Sequence, residues 1–247
     1  MSIRFEYPDA NFSGLGIGRR DRLTSIRTNL VGEFQLGRDK ETSSFNLVTQ
    51  TRGVWTGGET FGIRTGDTNK LNWLDTLVED NPDITIIWAG QLSASGPCNM
   101  VSNFTGSPNS DAIFLGLVGS QLNGFSCNTD NTLSFATVPG SYANTTQMGV
   151  TSLRINSGSD YTIKSDVFRG GVRLAGQSAT ATGKTRVKSS RTLGIGGIGG
   201  SYSQDVTMSC YGALIYHTYL SDGDLLTIVQ DMTNISASRY ADHAVAL

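Results

Sequence analysis

Glycoside hydrolysis needs two carboxyl groups at a set separation, one acting as acid and the other as base or nucleophile. This 247-residue chain is poor in the residues that supply them. Its five glutamates are Glu6, Glu33, Glu41, Glu59 and Glu79, and none follows residue 79. Asp160, Asp166 and Asp205 sit in or beside apparent turns, and Asp222 and Asp224 are accounted for by the start of a helix. Histidine offers only His217 and His243 as general bases. Neither has a local serine or aspartate from which a triad can be built. The chain therefore reads as a non-enzyme with no catalytic residue. If hydrolase or lyase activity did appear, Asp160, Asp166, Asp205 and His217 are the residues to test first.

Binding chemistry is better supplied. An aromatic ring can stack on a sugar face while Asn, Asp and backbone groups fix the hydroxyls. Trp55, Trp73, Tyr142, Tyr161 and Tyr202 lie in or near turn-rich stretches and are the candidates for carbohydrate binding. The competing reading for each is plain packing, and Trp88, inside a β-branched run, reads as core. Lys184, Arg186 and Lys188 alternate, so on a strand they share one face. Such a stripe suits an acidic sugar or a negatively charged partner, or else guards an edge strand against aggregation, which is the favoured reading. A second basic cluster, Arg19, Arg20, Arg22 and Arg27, suits a docking arm as well as a solvated turn after a first strand. Nucleic-acid binding would want aromatics among the basic residues. Only Val187 interrupts the stripe as a large apolar residue.

Two glycine patterns fail as nucleotide sites. Gly194-Ile195-Gly196-Gly197-Ile198-Gly199 matches a dinucleotide fingerprint, but Gly200-Ser201-Tyr202-Ser203 follows as a turn where a phosphate-binding helix is required. Gly183-Lys184-Thr185 lacks the first glycine of a P-loop, because that position is Ser178. No metal ligand is assigned. Calcium needs clustered oxygens, and Asp130 with Asn128 and Asn131, or Asp160 with Asn156, are the only sets that could contribute. Cys98, Cys127 and Cys210 cannot all pair within one chain and have no zinc-binding spacing. Buried free thiols are expected, with a Cys98–Cys127 bridge as the alternative. Four glycosylation sequons, at Asn11, Asn103, Asn144 and Asn234, carry no weight without a secretory route.

The elements that must position these residues are mostly strands. Thirty glycines, five prolines and 16% charged residues describe a turn-rich, lightly charged chain. The formal net charge of −2 gives no field for steering to nucleic acid or an anionic membrane. No apolar run approaches the roughly 20 residues of a membrane span, and Met1–Tyr7 lacks an apolar signal core. The spacing predicts strands at Ile84–Ala89, Met100–Phe104, Ala112–Val118, Leu133–Val138, Met148–Ile155 and Tyr161–Phe168, separated by turn clusters. Leu71–Val78 fits helix and strand alike, and Arg38–Glu41 reads as a polar turn. Cys210–Tyr216 is an apolar strand running into one helix. Ser221 caps that helix, Asp224 stands at its third position, and Leu220 with Leu225 is spaced as a hydrophobic staple. Leu225, Ile228, Val229 and Met232 form its apolar stripe. Trp88, Ile215 and that stripe are expected to share one core. Residues 1–30 read as an N-terminal arm or first strand, 31–234 as the sandwich and 235–247 as a tail.

The strand-to-capped-helix ending, Tyr216 to Ser221 with Ala213–Leu225 around it, resembles the closing signature of the concanavalin A-like lectin/laminin G-like superfamily. Asn46-Leu47, the Trp88 strand, Gly170-Gly171 and Leu193–Gly197 add to the resemblance, which covers about 30–234. It implies an all-β fold: a two-sheet antiparallel β-sandwich (concanavalin A-like jelly roll) with one short C-terminal helix. Short chains of this kind also resemble the virion proteins of tailed bacteriophages. That implies a non-enzymatic head or tail decoration or adhesin contacting host-surface glycans, made in the host cytoplasm without a signal peptide. Its partners would be other virion proteins or further copies of itself, with no nucleic acid and no membrane insertion. A purely structural decoration protein is the alternative, and a glycan-degrading enzyme is the third reading.

Overall fold

The computed structural model describes residues 22–37, 39–58, 61, 66–69, 71–91, 98–104, 112–142, 148–196 and 206–240, with side chains through 235. Two antiparallel sheets face each other. Sheet I has the order β1 (Leu30–Gln35), β14 (Met208–Tyr216), β5 (Ile84–Gln91), β10 (Met148–Ile155), β11 (Thr162–Arg169), β12 (Val172–Thr180), with β3 (Gly66–Thr68) also paired to β14. Sheet II has the order β2 (Val54–Thr56), β4 (Trp73–Glu79), β13 (Thr192–Ile195), β6 (Cys98–Ser102), β7 (Ile113–Val118), β8 (Gln121–Cys127), β9 (Leu133–Val138). The expected all-β two-sheet sandwich with a C-terminal helix is borne out. Leu133–Val138 and Met148–Ile155 fall where the spacing put them. The ambiguous Leu71–Val78 is strand, and the polar turn after residue 38 contains a one-turn helix, α1 (Lys40–Ser43), capped by the Asp39 side chain.

One expectation is corrected. Trp88, Ile86, Ala213 and Ile215 do lie between the sheets. Helix α2 (Asp222–Tyr240) packs instead on the outside of sheet I, and its stripe meets Ile87, Ala89, Leu214 and Tyr216. Successive residues of a strand point to opposite faces, so β5 and β14 are covered on both. That is why Ile84–Ala89 reads as a continuous apolar run with no alternation. The helix begins as its sequence predicts: Asp224 N donates to Ser221 Oγ at 3.0 Å, and the Ser221 hydroxyl donates to Asp224 Oδ2 at 2.7 Å. Leu220 and Leu225 join the same outer core. The helix continues past Asn234 to Tyr240.

A polar network holds the helix start to the sheet. Asp166, expected beside a turn, is instead in the middle of β11 and fully buried. Its carboxylate accepts from Arg154 Nη2 at 2.9 Å and pairs with Arg173. Arg154, 1% exposed, also donates to the Leu220 carbonyl at 3.0 Å and pairs with Asp222 at 2.6 Å. Asp222 in turn takes the Lys164 ammonium at 2.8 Å. All three cysteines are buried, and none is in a disulfide.

Candidate binding surface

The expected sugar platforms divide by burial. Tyr161 is 1% exposed and donates its hydroxyl to Asn128 Oδ1 at 2.6 Å. Tyr142 donates to the Pro139 carbonyl at 2.8 Å, and Trp55 packs against Phe61 with ring centroids 5.0 Å apart. All three belong to the inner core, so none can offer a ring face to a sugar. They read as surface residues because turn-rich sequence surrounds them, but their rings turn inward. Trp73 is half-buried on the outer face of sheet II, opposite the inward Leu74. Tyr202 lies outside the described residues.

The basic residues are largely committed. Arg22 and Arg27 converge on the buried carboxylate of Glu33, at 3.1 and 2.5 Å, and Glu33 also accepts the Leu23 amide at 2.7 Å. Together with a bond from Ser25 to Asp231, this ties residues 22–27 to sheet I and to α2. Arg19 and Arg20 lie outside the described residues. The 184–188 stripe is no face at all. Lys184 pairs with Asp130, Lys188 with Glu79 at 3.4 Å, and Arg186 is buried against Asp80. Arg186 also donates to the Asn81 and Pro82 carbonyls and to Ser126 Oγ. Thr185 bridges Ser159 of the β10–β11 turn, and Arg186 bridges Asn128 after β8. The segment thus clips the two sheets together. Burial pushes the Asp80 carboxyl above its usual value, against the pull of Arg186 and the Ser189 amide.

The candidate carboxylates hold structure. Asp160 accepts the Gly183 amide, Asp166 sits in its ion network, and Asp222 and Asp224 serve the helix start. The His217 ring meets the Glu79 carbonyl at 3.0 Å. Asp205 and His243 lie outside the described residues. The oxygens of the calcium sets are engaged within the protein. Asp130 accepts from Thr132 and Lys184, Asn128 Oδ1 from Tyr161, and Asn156 Oδ1 from the Thr162 amide. Among the described residues no group of three His, Cys, Asp or Glu side chains is placed to hold a metal.

What the structure does assemble is on the outer face of sheet II. Leu115, Leu117, Leu122, Ala136 and Val138 point inward, so their neighbours point out. Phe114, Phe125 and Phe135 are in register across β7, β8 and β9. Phe114 and Phe125 stack at 4.7 Å and 10°, Phe135 follows at 5.4 Å, and Phe104 meets Phe125 edge-on at 5.0 Å. Phe135 is 47% exposed, whereas Phe104, Phe114 and Phe125 are buried and form a small core of their own. Beside this aromatic row runs a polar one, in register across β6 to β9: Asn99, Gly116, Asn123, Thr137. Thr137 donates to Asn123 Oδ1 at 2.5 Å, and Asn123 Nδ2 donates to the Gln121 carbonyl at 3.1 Å. Asn99, 3% exposed, has no partner for either amide atom. Sequence reasoning missed this surface because β8 did not read as a strand. The outward placement of Asn99 also depends on a bulge between Asn99 and Val101. The alternation of Phe135 and Thr137 within Leu133–Val138 was the available signal.

No family model and no curated protein sequence matches the chain. Solved structures do. The binding domain of Paraclostridial Mosquitocidal Protein 1 is similar with a TM-score of 0.57 at 13% identity, over 83% of this chain and 53% of that one. The receptor binding domain of botulinum neurotoxin mosaic serotype C/D gives 0.56 at 10% identity, over 82% and 50%. The botulinum neurotoxin serotype D ligand binding domain in complex with N-acetylneuraminic acid gives 0.55 at 10% identity, over 82% and 50%. These likenesses show a shared fold. The chain spans about half the length of each of these domains.

Proposed function

We propose that the chain is a non-enzymatic binding protein that recognises glycans through the outer face of sheet II. The observation that carries this is the exposed Phe135 ring beside the half-buried Thr137 hydroxyl on the β9 edge of that face. A sugar has an apolar C–H face and a polar rim, and such a surface answers both. The similarity to domains described as receptor- or ligand-binding, one of them holding a sialic acid, supports the same class of role. The described candidates for acid, base and nucleophile are committed to structural bonds, which supports binding over turnover.

The finer setting is a virion-associated adhesin or decoration protein of a tailed bacteriophage, shown in many copies. It rests on the sequence resemblance alone. Multivalent display would suit it, because avidity adds factors of about 10²–10⁴ to weak single sites. The test is a glycan array probed with the purified protein, alongside its incubation with bacterial capsular polysaccharides. Retention on a defined set of glycans without depolymerisation is expected. Depolymerisation overturns the non-enzymatic reading, and no retention on any glycan leaves a purely structural role.

A further inference from the structure

We infer that β12, the free edge of sheet I, is where a second copy of this chain pairs, antiparallel and about a two-fold axis at Ser178, so that sheet I runs on from one copy into the other. The inference is independent of the glycan-binding reading. An edge strand turns the N–H and C=O of every second residue away from its neighbour, and folds usually close such rows. This chain closes the opposite edges. Asn46 accepts the Glu33 amide at 3.2 Å and donates to the Val31 carbonyl at 3.0 Å, and the Leu47 amide donates to the Glu33 carbonyl at 2.9 Å, which covers β1. The far edge of sheet II, β2, is only three residues long.

β12 is left open. It is nine residues long, and its bulge affects only the residues before Ala175, so that Ala175–Thr180 is in unbroken register with β11. Val172 and Leu174 are 63% and 49% exposed, and Gln177, Ser178 and Thr180 are exposed as well. Among the described residues, one hydrogen bond besides those of β11 reaches its backbone, from Gln177 Nε2 to the Ser178 carbonyl at 3.1 Å. That bond marks the Ser178 carbonyl as outward, and alternation gives Gly176 and Thr180 the same direction. The strand has no proline or lysine, and its one charge, Arg173, is drawn onto the sheet face by Asp166. Gly176 keeps that path open, since a Cβ there would strike the Arg173 guanidinium and the Asp166 carboxylate.

The occupant follows from the strand itself. Ala175–Thr180 is uncharged and built of small or flexible polar residues, so a copy of it meets no like charge. With the axis at Ser178, that residue faces its counterpart and Gly176 faces Thr180 of the second copy. Every outward N–H and C=O from 176 to 180 then has a partner, and the two Arg173 side chains do not meet. β9, the free edge of sheet II, packs beside β12, so the paired side is two sheets deep. Nine residues give about 30 Å of length, and two sheets about 10 Å apart with their outer side chains give about 20 Å of depth. That is about 600 Å² from each copy, or about 1,200 Å² in all, the lower end of stable specific interfaces. A dimer dissociating in the micromolar range is expected.

The test follows the mass of the full chain by light scattering across the micromolar range. A concentration-dependent doubling is expected, with the Gly176, Ser178 and Thr180 amides exchanging more slowly in the dimer than in the monomer. Ser178→Cys should form a disulfide-linked pair under mild oxidation, because facing residues are about 5.5 Å apart at Cα, within disulfide reach, and the native cysteines are buried. Thr180→Cys, about 13 Å from its counterpart across the axis, should not. Ser178→Pro removes the outward N–H without touching the β11 ladder and should leave a monomer. If Ser178→Pro does not fold, cross-linking and wild-type exchange decide. A chain that stays monomeric throughout overturns the inference. So does a dimer in which Ser178→Cys fails to cross-link and the 176–180 amides exchange as in the monomer, because the copies then meet elsewhere. Growth beyond a dimer overturns the closed two-fold pairing.

Discussion

Asp166 and Arg154 are each almost wholly out of water, and each is the other's buried counter-ion, with Arg173 and Asp222 as partly exposed second partners. Removing one member of such a pair leaves the other buried and uncompensated, which costs about 3–5 kcal/mol, whereas replacing both with apolar residues can be nearly neutral. Asp166→Ala is therefore expected to lower urea-unfolding stability by about that amount, and Arg154→Met/Asp166→Leu by much less. Exposed charges leave a different signature. Lys164, then Arg154, hold the Asp222 carboxyl at about 2, down from 3.8, and Lys184 and Thr132 do the same for Asp130. A carboxyl lowered in the folded state contributes fully above its unfolded value and loses that contribution as pH falls through the folded one. Thermal midpoints should thus decline between about pH 4 and pH 2, less steeply in Asp222→Asn. Asp80 acts in the opposite sense, because burial raises its value, and its contribution grows as pH falls.

Helix α2 is joined to sheet I by its apolar stripe and by the network at its first turn. Ser221→Ala removes the cap that accepts from Asp224 N and should cost about 0.5–2 kcal/mol. Leu225→Ala, at 1% exposure, should cost about 2–5 kcal/mol. Because the helix has its own core outside the sheet, hydrogen exchange in Leu225→Ala should rise first in α2, with β10 and β11 protected. Uniform acceleration across both sheets would show that the two cores are one cooperative unit. The helix was legible because its cap, staple and stripe are all local in the chain. Its place was not, because an apolar strand such as Ile84–Ala89 does not say which of its two covered faces meets the helix and which the other sheet. The outer face of sheet II was still less legible. Asn99, Gly116, Asn123 and Thr137 come from four strands, and only their register brings them into line. The described aromatics singled out from local sequence turned mostly inward for the same reason: a turn-rich neighbourhood does not fix the direction of a ring.

At the scale of the molecule, the sandwich shields its thiols completely. Burial pushes the Cys98 thiol up to about 12 and Cys210 higher still. A thiol reagent at neutral pH should therefore find none of the three cysteines in the native protein and all three in urea.

The position of β14 sets a timetable for synthesis. It lies between β1 and β5, strands that leave the ribosome long before it. At about 5–20 residues per second, both wait with unpaired edges until Tyr216 has been made, and the helix that covers Ile87 and Ala89 comes later still. Sheet I is therefore completed only after translation of nearly the whole chain, even though β5, β10, β11 and β12 can pair earlier. A chain ending at residue 207 is expected to be protease-sensitive and prone to aggregate, although it contains most of the strands. For a cell making many copies at once, the vulnerable interval is the time between the emergence of β5 and the arrival of β14.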